Sequence, residues 1–329
     1  MKTISITWPW EWKTPEQIVT EVRSLGLNSL CIRAFDGGAE FGVNAYSKMR
    51  FGGKTNYDVE KAAKAKGLTT PIWGPVYCKY WQSEVFVIKK SQQIYNPPAI
   101  FLDYEGKTAE ASKGNLGTFL RALGRLPTKV YLQSYRRPSY HRWVQWEKWF
   151  SYRDQSSGQY IIDGVGAQLY PIGVHGVANW KDTTKRDVDD YMAILKSVNR
   201  EDMPWYPTLP TFTGGTYEGQ SVPWKPLAEE LQGQIDLLTS LLGNRMVNTG
   251  VNFWDLGGLT SRKGGLGSVV QSWIRNLDLG NDNESPPQPP VPPASPVSFL
   301  SLPDPKKWSM VKDELIREGT LDKSGNLKQ

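Results

Sequence analysis

Three observations predict that this 329-residue chain is an α/β protein, a (β/α)8 TIM barrel followed by a proline-rich spacer and a short helical tail. Short β-rich runs alternate with helical patterns through residue 279 or so, in the number and order that such a barrel needs. Polar and aromatic residues gather at the C-terminal ends of those runs, where barrel enzymes carry their chemistry. The first run leads into Trp8-Pro9-Trp10 rather than a glycine-rich phosphate turn, which argues against a doubly wound dinucleotide-binding sheet.

The first run is Ile4–Trp8, followed by a helix over 15–25 with Thr14 as N-cap, Pro15 at its first position and Gly26 as its stop. Ser29–Phe35 precedes a helix over 57–66 closed by Gly67, and Leu68–Tyr77 precedes a helix reaching about Gln93. Ala99–Tyr104 precedes Asn115–Leu123, and Lys129–Tyr135 precedes the aromatic-rich Trp143–Phe150. Val165–Tyr170 is followed by a helix over 185–198, Trp205–Pro210 by the amphipathic 226–242, and Val247–Trp254 by a final helix near 266–277.

The barrel is expected to occupy residues 1–279. Residues 280–296 hold seven prolines and read as an extended polyproline-type spacer. Within 297–329, Asp304, Pro305 and Gly319 read as cap, first position and stop of one helix, with Trp308, Val311 and Leu315 on one face. So short a helix is marginal alone, so this segment is expected to dock on a protein partner.

Composition narrows the function classes. The net charge of +6 includes no block of five basic residues, so no nucleic-acid site is expected. The 14 Trp and 15 Tyr favour carbohydrate mildly, because aromatic faces stack on sugars as well as fill cores. Two cysteines, Cys31 and Cys78, read as buried apolar fillers. With only His141 and His175 beside them, no zinc spacing appears, and neither a metal nor a cofactor is expected. No apolar run predicts a membrane span. The N-terminus lacks a signal-peptide core, so cytoplasmic synthesis is expected, with a virion location or an export route without a signal peptide as the ways to reach a wall.

The strongest motif is Ala99-Ile100-Phe101-Leu102-Asp103-Tyr104-Glu105. Strand side chains alternate faces, so Asp103 and Glu105 should point the same way. Paired carboxylates raise one pKa, which suits one of them to donate a proton near neutrality. Other strand ends add Trp8, Arg33, Asp36, Trp73, Tyr77, Gln133, Tyr135, Gln168, Tyr170, Trp254 and Asp255. Plainer roles compete: Asp36, before Gly37-Gly38, suits a turn, Arg33 suits a pair with Asp103, Tyr135 a core cap, and His141 a surface position.

Phe101-Leu102-Asp103-Tyr104-Glu105 resembles the end of the fourth-strand motif of family 18 chitinase barrels, and family 25 muramidases share Asp-x-Glu on that strand. The resemblance implies Glu105 as proton donor, Asp103 as the residue orienting an acetamido group, Tyr170 as its helper and Trp254 as the floor under the sugar. Ser134-Tyr135-Arg136-Arg137-Pro138-Ser139-Tyr140-His141, Trp73-Gly74-Pro75-Val76-Tyr77, Gln168-Leu169-Tyr170 and Asn252-Phe253-Trp254 further resemble a barrel group of bacteria and their phages, over about residues 28–256. The chain departs from the chitinase motif at Ile100, where an earlier acid would stand, and from the muramidases in lacking a first-strand Asp. Asp36 and Asp255 remain the candidates for a second acid.

The sequence thus predicts a glycosidase of an N-acetylhexosamine wall polysaccharide with Glu105 as acid/base. The contributing residues are Asp103 and Tyr170 at the reacting centre, with Trp254, Asp255, Gln168, Asp36, Arg33, Trp73, Tyr77 and Trp8 around the substrate. The alternative is an inactive barrel that serves as a phage-type virion or cell-surface binding protein. Truncation after residue 279 should leave a soluble barrel with a nearly unchanged melting temperature that no longer joins a partner. A melting temperature lower by many degrees would show that the tail packs on its own barrel.

Overall fold

The computed structural model describes residues 2–6, 13–41, 55–170, 180–211, 216–217, 220–221, 227–247, 250–254, 256 and 267–277. The chain divides into two units, Met1–Asp282 and Asn283–Gln329. The proline-rich spacer and the tail helix expected beyond residue 279 lie outside the described residues, as do Trp8, Trp10, His175 and Asp255.

Eight parallel strands build the first unit: β1 (Lys2–Ile6), β2 (Ser29–Arg33), β3 (Ile72–Pro75), β4 (Ala99–Asp103), β5 (Lys129–Ser134), β6 (Gly164–Ala167), β7 (Thr208–Pro210) and β8 (Val251–Trp254). Their order in the sheet is β6-β5-β4-β3-β2-β1-β8-β7. The two ends of that row meet through the parallel bridges Val165↔Trp205 and Gln168↔Thr208. Hydrogen bonds from the Tyr206 amide to the Val165 carbonyl (2.7 Å) and from the Leu169 amide to the Thr208 carbonyl (2.9 Å) join them too, so the row returns on itself as a barrel. The strand order expected from the sequence is the order found.

Among the described residues the α-helices of six residues or more are α1 (Pro15–Ser24), α2 (Asn56–Ala65), α3 (Trp81–Tyr95), α4 (Gly106–Ala111), α5 (Leu116–Leu123), α6 (Trp146–Ser151), α7 (Trp180–Ser197), α8 (Ala228–Leu242) and α9 (Gly267–Asn276). Thr14 is the N-cap of α1, as its sequence predicts; the cap is reciprocal with Gln17, and Thr55 with Asp58 caps α2 in the same way. In α5 the spacing of Leu116, Phe119, Leu120 and Leu123 buries one whole face, each side chain contributing about 1.5–3 kcal/mol of transfer free energy.

Several boundaries differ from expectation for local reasons. β1 begins at Lys2, two residues before the expected Ile4, and residues 7 and 8 of the expected run lie outside the described residues. In the seventh run only Thr208–Pro210 forms a ladder, because Pro207 has no amide hydrogen to donate before it. The segment expected as one helix over 143–150 splits into a 3-10 turn at Arg142–Val144 and α6, with Gln145 between them at φ +57°. Helix α4, which follows Glu105 directly, was not signalled by any apolar periodicity. Asp36 does sit at a turn, in a two-residue ladder of Phe35–Asp36 with Ala39–Glu40.

Alternation along the strands sorts side chains into two separate apolar layers. Ile100, Leu102 and Tyr104 pack outward under the helices, whereas Ala99 and Phe101 pack inward with Cys31, Trp73, Tyr131 and Tyr206. Phe101 stacks on Tyr131 with centroids 5.2 Å apart, and Tyr206 meets both rings edge-on at 5.1 and 5.8 Å. Strand β6 makes room for them with glycines: a Cβ at Gly164 would collide with the Tyr131 ring and approach the Pro204 carbonyl to 2.7 Å, and one at Gly166 would lie 3.3 Å from the Phe101 ring. Both cysteines are buried, as expected, Cys31 in this inner layer and Cys78 after β3.

Gly164→Ala should therefore destabilise the barrel by about 1–3 kcal/mol, because the ring it meets is wedged between two others. Chemical denaturation should show a lower midpoint with an unchanged slope; an unchanged midpoint would mean that the interior yields.

Candidate active site

The inward parity of β4 carries past Phe101 to Asp103, which is 8% exposed at the C-terminal mouth of the barrel. It stands in register with Gln133 of β5, which is also buried. Gln168, just beyond β6, donates its side-chain amide to Asp103 Oδ1 at 2.9 Å, and the same amide favours the charged form of Glu105. The two acids therefore face the same way, as the Asp-x-Glu spacing predicts. Glu105 is partly accessible to solvent, whereas Asp103 lies below it.

Burial raises both carboxyl pKa values. Asp103 is pushed well above the ordinary carboxylate range by burial and then by the Glu105 charge, against the opposing pull of Arg33 and the Gln168 amide. Glu105 is raised by burial and held back by Gln168. Two such neighbours titrate as a pair, and the deeper Asp103 is the harder to ionise. Among the described residues neither acid makes an ion pair.

Arg33 is not paired with Asp103, contrary to one expectation. Its guanidinium donates to Asp36 Oδ2 at 2.7 Å, lies 3.9 Å from the Phe41 ring centroid and 5.2 Å from that of Trp73, and reaches Asp103 only through its field. Asp36 also accepts from the Tyr77 hydroxyl at 2.9 Å. That donation and burial raise the Tyr77 phenol above its usual range, burial contributing most. The Tyr77 loop is fixed from behind by buried Glu84 of α3, whose carboxylate accepts from the amides of Tyr77, Cys78 and Tyr80 at 2.8, 2.9 and 3.1 Å. Asp36 thus has two committed partners, which removes it from the role of a free second acid.

Trp73 corrects another expectation: at 4% exposure it is part of the interior and offers no open face for stacking. Its ring meets Trp254 edge-on at 4.8 Å, and Trp254 is the half-exposed member of the pair at the mouth. Tyr170 is half-buried two residues beyond Gln168, its amide on the Gln168 carbonyl at 3.1 Å.

Tyr135 does more than cap a core. Its hydroxyl accepts the Gly106 amide at 2.8 Å, at the residue that follows Glu105, and His141 stacks on its ring at 3.7 Å between centroids. His141 is therefore packed rather than a bare surface residue, and burial lowers its pKa. Gly106 sits at φ +85°, a conformation that favours glycine and turns the chain into α4 just after Glu105. Tyr191 of α7, which sequence reading did not single out, donates its hydroxyl to the Tyr135 carbonyl at 2.6 Å. Only its place among the buried positions of α7 could have marked it. Among the described residues, no cluster of three or more His, Cys, Asp or Glu is placed to hold a metal, and no helix is long and apolar enough to cross a membrane.

No protein-family model and no curated protein matches the chain. Solved structures match it in architecture. A catalytic-site mutant of active domain 2 of the thermostable chitinase from Pyrococcus furiosus, complexed with chito-oligosaccharides, has a TM-score of 0.53 at 13% identity, over 83% of this chain and 91% of that one. The chain shares that barrel fold. The Group IV chitinase of Ostrinia furnacalis has a TM-score of 0.52 at 11% identity, over 84% and 98% of the two chains. The catalytic domain of the hyperthermophilic Pyrococcus furiosus chitinase gives 0.51 at 12%, over 83% and 91%. At these identities the likeness is one of fold.

Because the Gln168 amide favours the ionised form of both acids, Gln168→Leu should move their titration upward in pH. Carbon-detected NMR of the side-chain carboxyls reads this directly. Unchanged or lowered midpoints would show that Gln168 does not serve the pair.

Proposed function

We propose that the chain is a glycosidase acting on an N-acetylhexosamine-containing polysaccharide of the cell-wall type. The observation that supports it most is the Asp103–Gln168–Glu105 cluster. It sets two acids on one face of the barrel mouth, without an ion pair, and burial favours their protonated forms. Glu105, the accessible one, donates a proton to the departing glycosidic oxygen and then takes one from water. Asp103 lies beneath it, where a carboxyl group can hold the acetamido group of the sugar, and Tyr170 assists from the sixth strand end. The acetamido oxygen acts as the internal nucleophile, so the chemistry proceeds without the second acid that Asp36 does not supply. Trp254 forms the floor against one sugar face. The fold shared with chitinase domains supports this choice of substrate, and the wall polymer is the reading of the Asp-x-Glu resemblance.

Glu105→Gln keeps the shape of the side chain and removes its proton, so hydrolysis of a wall polymer or of chito-oligosaccharides should fall by on the order of 10²–10⁴-fold. Retention of more than about a tenth of the rate would remove Glu105 from the role. The wild-type rate should decline as pH rises through a pKa above the ordinary Glu range, because the donor must be protonated and its folded-state pKa is raised. A rate that holds only below pH 4 or so would contradict this assignment. Sugar binding with no turnover by the wild type would favour the binding-barrel reading instead.

A further inference from the structure

The segment after β5, residues 135–141, is held with unusual firmness for a surface loop. Three residues of α7 spaced three and four apart grip it. Asp187, which is 0% exposed, pairs with Arg136 at 2.7 Å, Asp190 accepts the Ser139 amide at 3.1 Å, and Tyr191 bonds the Tyr135 carbonyl. From the other side, the indole nitrogen of Trp146 donates to the carbonyls of Pro138 and His141 at 3.2 and 3.0 Å. Yet the tip of this loop presents Tyr140 at 67% exposure.

Tyr140 is itself braced. The Arg137 guanidinium lies 4.3 Å from its ring centroid and also donates to its hydroxyl at 3.0 Å. One face is backed by a cation, and the exposure belongs to the rest of the ring. Its neighbour His141 stacks on Tyr135, whose hydroxyl holds the amide next to Glu105. A braced aromatic ring therefore stands on the loop after β5, at the same end of the barrel as the acid pair, and its chain neighbour His141 is tied to that pair's segment through Tyr135.

We propose that Tyr140, backed by Arg137, is a distal sugar-binding subsite, stacking on a pyranose ring of the same polysaccharide chain beyond the units that lie at Glu105. Rigid aromatic platforms suit this task. Burying a sugar face on one gains apolar contact, and a ring already fixed loses little freedom on binding. The Tyr140 hydroxyl, which accepts from Arg137, keeps its own hydrogen for a sugar hydroxyl at the edge of the platform, which gives it the mixed character that a sugar requires. The inference rests on the glycosidase reading and adds to it a preference for longer chains.

The test compares binding of N-acetylglucosamine dimer and hexamer by calorimetry, with full-length protein carrying Glu105→Gln to prevent turnover. Tyr140→Ala in that background should weaken the hexamer about tenfold and change the dimer less than about twofold; Tyr140→Phe, which keeps the ring, should stay within about threefold for both. Equal loss for dimer and hexamer, or no loss for either, overturns the subsite while leaving the reading of Glu105 intact. The second of those results would fit a protein contact at this tyrosine. Failure of the parent protein to bind either oligomer overturns the subsite and the polysaccharide reading together.

Discussion

The inner layer of aromatic rings is the constraint from which the mouth of the barrel takes its character. Phe101, Tyr131 and Tyr206 fill the space within the strands, and they fit only because β6 presents glycine where other strands present side chains. That plug closes the barrel from below, so the next inward position of β4, Asp103, has rings beneath it instead of water. Its carboxyl is costly to ionise for this reason first, and the Glu105 charge adds to it. Packing low in the barrel thus sets the proton affinity of a group at its rim.

The charges around the rim divide into two sets. On the β2–β3 side, Arg33 and Tyr77 both donate to Asp36, and Glu84 ties the Tyr77 loop to the start of α3. On the β4–β6 side, the neutral Gln168 amide donates to Asp103 and favours the charged form of Glu105. The cation is close enough to oppose part of the rise in the Asp103 pKa and too committed to Asp36 to neutralise it. Removing a partner from the first set would alter the second through the field alone.

The parts of this arrangement that follow from strand periodicity were legible in the sequence. The eight-fold alternation, the Thr14 cap of α1, the common direction of Asp103 and Glu105, and the inclusion of Gln168 all follow from local rules. What the sequence did not disclose depends on distances between strands. Trp73 occupies the same inward parity as a binding residue would, and only the neighbouring Trp254 decides which of the two is covered. Arg33 was expected to face Asp103, and the short ladder at Phe35–Asp36 turns Asp36 back to it instead. The grip of Asp187 and Tyr191 on the β5 loop spans about fifty residues and leaves no local signature. Trp8 and Asp255 fall outside the described residues.

The pairing of β1 with β8 sets Lys2 beside Val251 and Ile4 beside Phe253, and the Lys2 ammonium reaches on to the Leu277 carbonyl at 2.9 Å. Elsewhere β1 has only β2 as a neighbour. During synthesis the first strand must therefore wait, one edge unpaired, until nearly the whole barrel has left the ribosome. Its partner arrives only after the intervening elements have been made, and closing so long a loop carries an entropic penalty that no local contact relieves. A chain released before β8 would expose that edge for pairing with other chains.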